Sequence, residues 1–181
     1  MNVFLRPVEL ADIEQLRQWR NSENIRTVSI SNEYITTEMQ VNWFNKIKDE
    51  KNGLFWIVMN DAKPVGFASV RKIDYTNLTC EFANLYLGEA GNEGSGLGAM
   101  IEFLVIDYVF NNLQNIRKIN CEILSNNPKV IQMIRKFGFI EEGILRKQYV
   151  KDNVDLDLHL LAIFKDVWNN NKDKLKKMLF R

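Results

Sequence analysis

The 181-residue chain has few of the residues that build disulfide or metal chemistry: two cysteines, one histidine and three prolines. Cys80 and Cys121 lie in apolar segments, so we expect two buried thiols and no disulfide framework. No metal site is predicted. The 24 Lys and Arg nearly balance the 23 Asp and Glu, and the net charge of +1 gives no strong field favouring nucleic acid or polyamines.

Long apolar runs are also missing. No stretch approaches the roughly 20 apolar residues that cross a bilayer. The opening MNVFLRPVEL lacks the charged, then apolar, pattern of a secretory signal. We therefore expect a cytoplasmic protein without a membrane or nucleic-acid partner. The length suits one domain over residues 1–181, because no linker or repeat interrupts them.

Apolar periodicity and turn residues predict a mixed α/β chain. Helical spacing marks residues 9–21, 36–53, 97–112, 126–138 and 164–180. Strand-like runs mark residues 1–8, 54–60, 63–73, 78–87, 117–124, 139–150 and 154–164. The polar segment 21–36 is predicted to be a turn region. Short turns between the middle strands favour antiparallel pairing, whereas the later helices favour βαβ-like units, so we expect a mixed sheet with helices on its faces.

Four of the nine glycines fall within residues 91–98, directly before a long apolar helical pattern. A phosphate-binding P-loop is excluded because no Lys follows them. Gly94, Gly96 and Ala99 fit the letters of a dinucleotide fingerprint, but the preceding strand ends near Leu87 and the motif lies mid-chain. Two interpretations fit the spacing: a loop that cradles a pyrophosphate at a helix N-terminus, and a plain turn before a packed helix.

The order of the motifs resembles the GNAT superfamily of N-acetyltransferases. The stretch EGSGLG, residues 93–98, matches that family's acetyl-CoA loop, [QR]-x-x-G-x-[GA], except at Glu93. Downstream, NNPKVIQMIRKFGFIEEGILR resembles the family's Asn-containing helix and its K-x-G-F ending, and LDLHLLAIF resembles its closing strand. FLRPVELADIEQLRQWRN resembles the first strand and helix, so the resemblance spans nearly the whole chain.

This resemblance implies a GNAT-type α/β fold with a mixed, mostly antiparallel central sheet, a splayed middle strand and helices on both faces. It implies acetyl-CoA as cosubstrate and no metal. The glycine loop would hold the pyrophosphate, and the splayed strand would pair with the pantetheine arm. The expected cosubstrate contacts are Leu85, Leu87, Gly94, Ser95, Gly96, Leu97, Gly98, Ala99 and Asn127. Asn127 is equally suited to cap the helix after it.

Acetyl transfer to an amine needs one group that accepts a proton and one that protonates the departing thiolate. Many relatives place a Tyr seven residues after the Asn, but this chain has Ile134 there. We expect Glu81 as general base, Tyr149, Tyr86 or water as proton donor and His159 as a proton relay. An exposed strand carboxylate and a structural histidine are the alternatives for Glu81 and His159.

The segment LRQWRNSENIRTVSISNEYITTEMQVNWF resembles a GNAT branch that includes N-acetyltransferases of UDP-linked 4-amino sugars in the pseudaminic-acid pathway for flagellin and surface-glycan modification. A related branch acetylates ribosomal-protein N-termini. Because cations hold a diphosphate, we expect Arg20, Arg71 and Lys72 to bind a UDP-amino sugar and Tyr86 to stack on it. The alternative acceptors are a protein or peptide N-terminus and other small amines such as amino acids, antibiotics and polyamines, with polyamines disfavoured because no strongly acidic patch is evident. A non-catalytic acyl-CoA-binding module is the alternative to an enzyme, and a homodimer fits each of them.

Overall fold

The computed structural model describes residues 2–88 and 95–180. Its centre is a seven-stranded sheet in the order β1-β2-β3-β4-β5-β7-β6. The strands are β1 (Val3–Pro7), β2 (Leu54–Asn60), β3 (Lys63–Asp74), β4 (Thr79–Leu87), β5 (Lys118–Leu124), β6 (Ile140–Lys151) and β7 (Val154–Phe164). Neighbouring strands are antiparallel except β4 and β5, which are parallel. The predicted mixed, mostly antiparallel sheet is therefore confirmed.

Six α-helices occur in the described part of the chain, after a short 3-10 turn at Leu10–Asp12. They are α1 (Ile13–Asn21), α2 (Glu23–Val28), α3 (Thr37–Ile47), α4 (Leu97–Asn112), α5 (Pro128–Phe137) and α6 (Lys165–Leu179). The prediction of a turn region over 21–36 was wrong in part, because α2 lies within it. A six-residue helix shows little apolar periodicity, and α2 is held mainly by the burial of Ile25 against Leu16 and Trp19.

The two faces of the sheet carry separate cores, and helices cover both. On one face, α1, α2 and α3 pack on Ile57 and Phe67. On the other face, α4, α5 and α6 enclose a larger core, to which Ile101, Ile131 and Trp168 contribute. Helix α4 is apolar almost all round because it is buried between the sheet and α6. None of the helices in the two described ranges is long and apolar enough to cross a membrane.

The parallel strands β4 and β5 separate halfway along their length. Their ladder joins Thr79–Phe82 to Lys118–Cys121 and ends at the pair Phe82–Cys121. Beyond it, β4 continues to pair with β3, after a bulge at Ala83, and β5 continues to pair with β7. The result is the predicted splayed middle strand. We call the space between Ala83–Leu87 and Glu122–Leu124 the splay gap and the Phe82–Cys121 pair its apex.

Candidate active site

The N-terminus of α4 forms an open cradle at the mouth of the splay gap. Gly96 caps α4 in the left-handed region, with φ of 79°. A Cβ on Gly96 or Gly98 would meet no atom of residues 2–88 or 95–180 within 4 Å. The N–H of Leu97 donates to Ser95 Oγ at 3.2 Å, while the other N–H groups of a first helical turn point toward a ligand. The helix dipole makes this end suitable for a phosphate.

Gly94, which was predicted to contact the cosubstrate, and Glu93, where the family motif has Gln or Arg, lie outside the described residues. The described part of the cradle therefore begins at Ser95. Ala99, the last predicted residue of this group, lies in the first turn of α4.

A mostly apolar groove of about 390 Å³ extends from Ala99 between α5 and α6. Met133 and Phe137 line its wall, and Lys129 and Lys136 lie at its polar edge. An apolar wall with lysines beside it suits a purine ring that carries a phosphate. Cradle, groove and splay gap together match the pyrophosphate, nucleoside and pantetheine parts of acetyl-CoA.

The predicted pantetheine contacts lie on the two walls of the splay gap. Leu85 and Leu87 of β4 pack their side chains on the core around α4, while their backbone lies beyond the last β4–β5 ladder pair. Asn127 stands at the N-cap position of α5, but its side chain makes no capping hydrogen bond. The amide of Asn127 is thus not committed to the helix, which favours the cosubstrate interpretation.

Glu81 lies beside the apex, one residue before Phe82 on β4. Its carboxylate accepts a hydrogen bond from Lys72 Nζ at 2.5 Å. This hydrogen bond raises the pKa of Lys72. The Glu81 side chain is only 15% exposed and lines a depression of about 630 Å³, together with Asp74 and Asn120. A half-buried, oriented carboxylate beside a depression has the geometry of a general base.

Three cations from different elements lie near the end of α2, and we call Arg20, Arg26 and Lys151 the cationic cluster. Lys151 Nζ donates to the carbonyl oxygens of Arg26 (3.2 Å), Thr27 (3.3 Å) and Ser29. Burial lowers the pKa of Arg20, the Tyr86 hydroxyl opposes that shift and Arg26 adds to it. Burial and the Arg20 charge likewise lower the pKa of Lys151. The three charges therefore repel one another in a half-buried site.

Two donors of the cationic cluster are unused. Arg20 Nη1 and Arg26 Nε are buried and have no hydrogen-bond partner in residues 2–88 and 95–180. A buried donor without a partner costs about 1–3 kcal/mol. Because the cluster combines like charges with unused donors, it is suited to an anionic group.

The predicted substrate residues fall into two places. Arg20 lies beside Tyr86, which stacks on Phe67 with ring centroids 5.3 Å apart. Arg71 and Lys72 lie along β3 near Glu81, and Lys72 is engaged by that carboxylate. Sequence reasoning missed Arg26 and Lys151 as partners of Arg20.

Tyr149 and His159 lie on opposite faces of the sheet. Tyr149 packs on Leu124, Leu156 and Leu158, on the face that also carries Glu81. His159 faces the α5 side, where its Nδ1 lies 2.7 Å from Glu141 Oε2. The structure thus does not bring His159 to Glu81.

Ile134, at the position where many GNAT enzymes have a Tyr, is 1% exposed and packs in the larger core. In the described residues, no group of three or more His, Cys, Asp or Glu side chains is placed to hold a metal ion.

Glu81→Gln keeps the shape of the side chain and removes the proton acceptor. We expect kcat to fall on the order of 100-fold, since general-base catalysis contributes about that much. The Kd for CoA should not change, because Glu81 lies outside the cradle. Thiol release from acetyl-CoA in the presence of an amine, and calorimetric CoA titration, measure the two effects. Glu38→Gln, the same exchange on the exposed first turn of α3, is the control and should behave as wild type. A wild-type kcat in Glu81→Gln would exclude Glu81 as the base.

Comparison with known proteins now assigns the family. Residues 2–140 match the family model of the acetyltransferase (GNAT) domain. The chain therefore belongs to the GNAT acetyltransferases. It is an N-acetyltransferase that uses acetyl-CoA, as predicted.

Individual relatives share about a quarter of the sequence. The chain is 25% identical over 172 residues to the spermidine N(1)-acetyltransferase of Vibrio cholerae serotype O1, covering 93% of this chain and 96% of that protein. It is 28% identical over 170 residues to the probable N-acetyltransferase YjcK of Bacillus subtilis, covering 89% and 93%. These relatives do not support the narrower assignment to the UDP-amino-sugar or ribosomal branch.

A solved structure shows the same fold. The crystal structure of the Vibrio cholerae spermidine N-acetyltransferase in complex with CoA and spermine superposes with a TM-score of 0.86 at 22% sequence identity. The match covers 93% of this chain and 98% of that chain.

Proposed function

We propose that this enzyme acetylates the amino group of an anionic small molecule, and that a nucleotide-linked amino sugar is the acceptor. The observation that carries this proposal is the pair of unused buried donors, Arg20 Nη1 and Arg26 Nε, in the cationic cluster. A diphosphate would satisfy both donors and offset the repulsion among the three cations. Tyr86, beside Arg20, offers an aromatic ring to a base or sugar.

Polyamines are the second candidate acceptor because three curated relatives are named spermidine N(1)-acetyltransferase. Asp74 and Glu81, which line the depression beside the apex, would suit a cationic chain there. The cationic cluster would not, because two unit charges about 4 Å apart repel by about 4 kcal/mol near a protein surface. A nucleotide sugar would therefore bind to the positive charges of the cationic cluster, whereas a polyamine would be repelled by them.

In the proposed reaction, the phosphates of acetyl-CoA bind at the cradle and the pantetheine arm fills the splay gap. The arm ends at the apex, because paired strands beyond Phe82 and Cys121 leave no room. The amine approaches from the face that carries Glu81, which accepts a proton as the nitrogen attacks the thioester carbonyl. Backbone N–H groups in the open half of β4 are placed to hold the carbonyl oxygen.

The acceptor is tested by thiol release from acetyl-CoA with a UDP-4-amino-4,6-dideoxy sugar, spermidine and an N-terminal peptide. We expect turnover of the nucleotide sugar. In Arg20→Ala, its KM should rise on the order of 10- to 100-fold, since a charge-assisted hydrogen bond to phosphate is worth about 1.5–3 kcal/mol. Arg17→Ala is the matched control, because Arg17 lies on the same helix and pairs with Glu14.

The other outcomes identify the alternatives. Turnover of spermidine but not of the nucleotide sugar, with a lower spermidine KM in Arg20→Ala, would identify a polyamine enzyme. Turnover of the peptide alone would identify an N-terminal acetyltransferase. CoA binding without turnover of any amine would indicate a non-catalytic module.

A further inference from the structure

Glu102 is a buried carboxyl group that the reaction described above does not use. It lies on α4 with 2% of its surface exposed, and Glu102 Oε1 has no hydrogen-bond partner within the described ranges. The other buried residues of α4 are apolar. Carboxyl groups are rarely buried without a partner, because the ionised form loses its hydration.

The position of Glu102 follows from the course of α4. Helix α4 connects two parallel strands, so it runs back from the mouth of the splay gap toward the apex. Gly98 and Glu102 are four residues apart and therefore share one face of α4. Since Gly98 faces the open cradle, Glu102 lies one turn nearer the apex on the same face.

The electrostatics of Cys121 agree with this position of Glu102. The charge of Glu102 acts on the thiol of Cys121, the last residue of β5 that pairs with β4. Glu102 thus approaches the apex from the α4 face, whereas Glu81 lies on the α1–α3 face. With the pantetheine arm ending at the apex, this arrangement would put the two carboxyl groups on opposite sides of the thioester.

Glu102 is neutral at pH 7, because burial raises its pKa to about 8. Cys121 on β5 holds its own proton, since burial, Glu102, Glu81 and Glu122 all raise the pKa of that thiol. Of the two groups, Glu102 is the one that titrates near neutrality. A carboxylic acid of this kind matches the basicity of a departing thiolate.

We infer that Glu102 is the general acid that protonates the thiolate of CoA. As the bond between the amine nitrogen and the acetyl carbon forms, the bond from that carbon to sulfur breaks. The sulfur takes the Glu102 proton, and Glu81 takes the proton from the amine nitrogen. After CoA leaves, Glu81 releases its proton to solvent and Glu102 regains one, so the cycle is balanced. The inference rests on the acetyl transfer proposed above but not on the identity of the acceptor.

The test is Glu102→Gln, which keeps shape and neutrality but has no acidic proton. We expect kcat to fall about 10- to 100-fold, with the CoA Kd unchanged. The wild-type kcat should fall above about pH 8 as Glu102 ionises, and this basic limb should be absent in the variant. Asp107→Asn, the same exchange elsewhere on α4, is the control and should behave as wild type. If the Glu102→Gln protein does not fold, Glu102→Leu is used instead, because a leucine side chain matches the apolar surroundings of residue 102.

A kcat and pH profile equal to wild type in Glu102→Gln would overturn the assignment. The acceptor proposal fails separately, when the wild type does not turn over the nucleotide sugar. The Glu102 comparison is then made with whichever amine the wild type acetylates. Turnover of no amine at all would overturn acetyl transfer and this inference together.

Discussion

Gly96→Glu is expected to weaken CoA binding on the order of 1,000-fold while the protein remains folded. The new side chain has room, because nothing described lies within 4 Å of its Cβ position. Its carboxylate would occupy the space in front of α4 that the pyrophosphate needs. A like charge about 4 Å away costs about 4 kcal/mol at an effective dielectric constant near 20, which corresponds to that factor. Calorimetric titration with CoA and thermal unfolding measure the two effects.

Two control variants separate charge from backbone strain. Gly96→Ala imposes the same left-handed φ of 79° on a side chain, which costs about 1–2 kcal/mol, without adding charge. Gly143→Glu adds the same charge to a glycine with equally open surroundings on β6. We expect modest loss of CoA affinity in the first and none in the second. A folded Gly96→Glu protein that binds CoA normally would place the pyrophosphate elsewhere.

Local patterns were sufficient to predict the strands and most helices, but not the separation of β4 and β5. Residues 79–87 form one continuous strand, and nothing in their composition marks Phe82 as the last residue to pair with β5. That register depends on partners far along the chain. The splay was predicted only through the resemblance to a family, because motif order carries tertiary information that residue spacing lacks.

Local patterns also could not predict the cationic cluster, because its members come from distant parts of the chain. Arg20 was predicted from its neighbourhood in α1, but Lys151 follows it by more than a hundred residues. It reaches the cluster because β6 and β7 bring its ammonium group to the carbonyl oxygens at the end of α2. Arg26 lies on α2, the helix that the sequence did not reveal.

Two titratable residues, His159 and Glu102, show what can and what cannot be predicted from the residue pattern. Alternation along β7 puts Asp155, Asp157 and His159 on one face of the strand, yet the histidine's partner, Glu141, comes from β6. Glu102 could have been noticed in the sequence, because it is an acidic residue within an otherwise apolar helix segment. Its significance depends on the burial of Glu102 together with most of α4, which the sequence does not show.

Wild-type stability is expected to decrease as the pH rises from about 5 to 8, and Glu102→Gln is expected to remove most of that decrease. The pKa of Glu102 is about 8 in the folded protein and has the ordinary value of 4.5 when unfolded. Between these values the folded state holds a proton that the unfolded state releases, so raising the pH favours unfolding. At about 1.36 kcal/mol per pKa unit, the cost at pH 7 is roughly 3 kcal/mol.

The measurement is the free energy of unfolding in urea at several pH values between 5 and 8, without CoA, for wild type and variant. Comparing the two proteins cancels the other titrating groups. Asp12 and Asp157, whose pKa values are lowered, act in the opposite sense and at lower pH. Asp107→Asn should follow the wild-type curve. Parallel curves for wild type and Glu102→Gln would mean that Glu102 is already ionised in the folded protein, and that it has no proton to give to the thiolate.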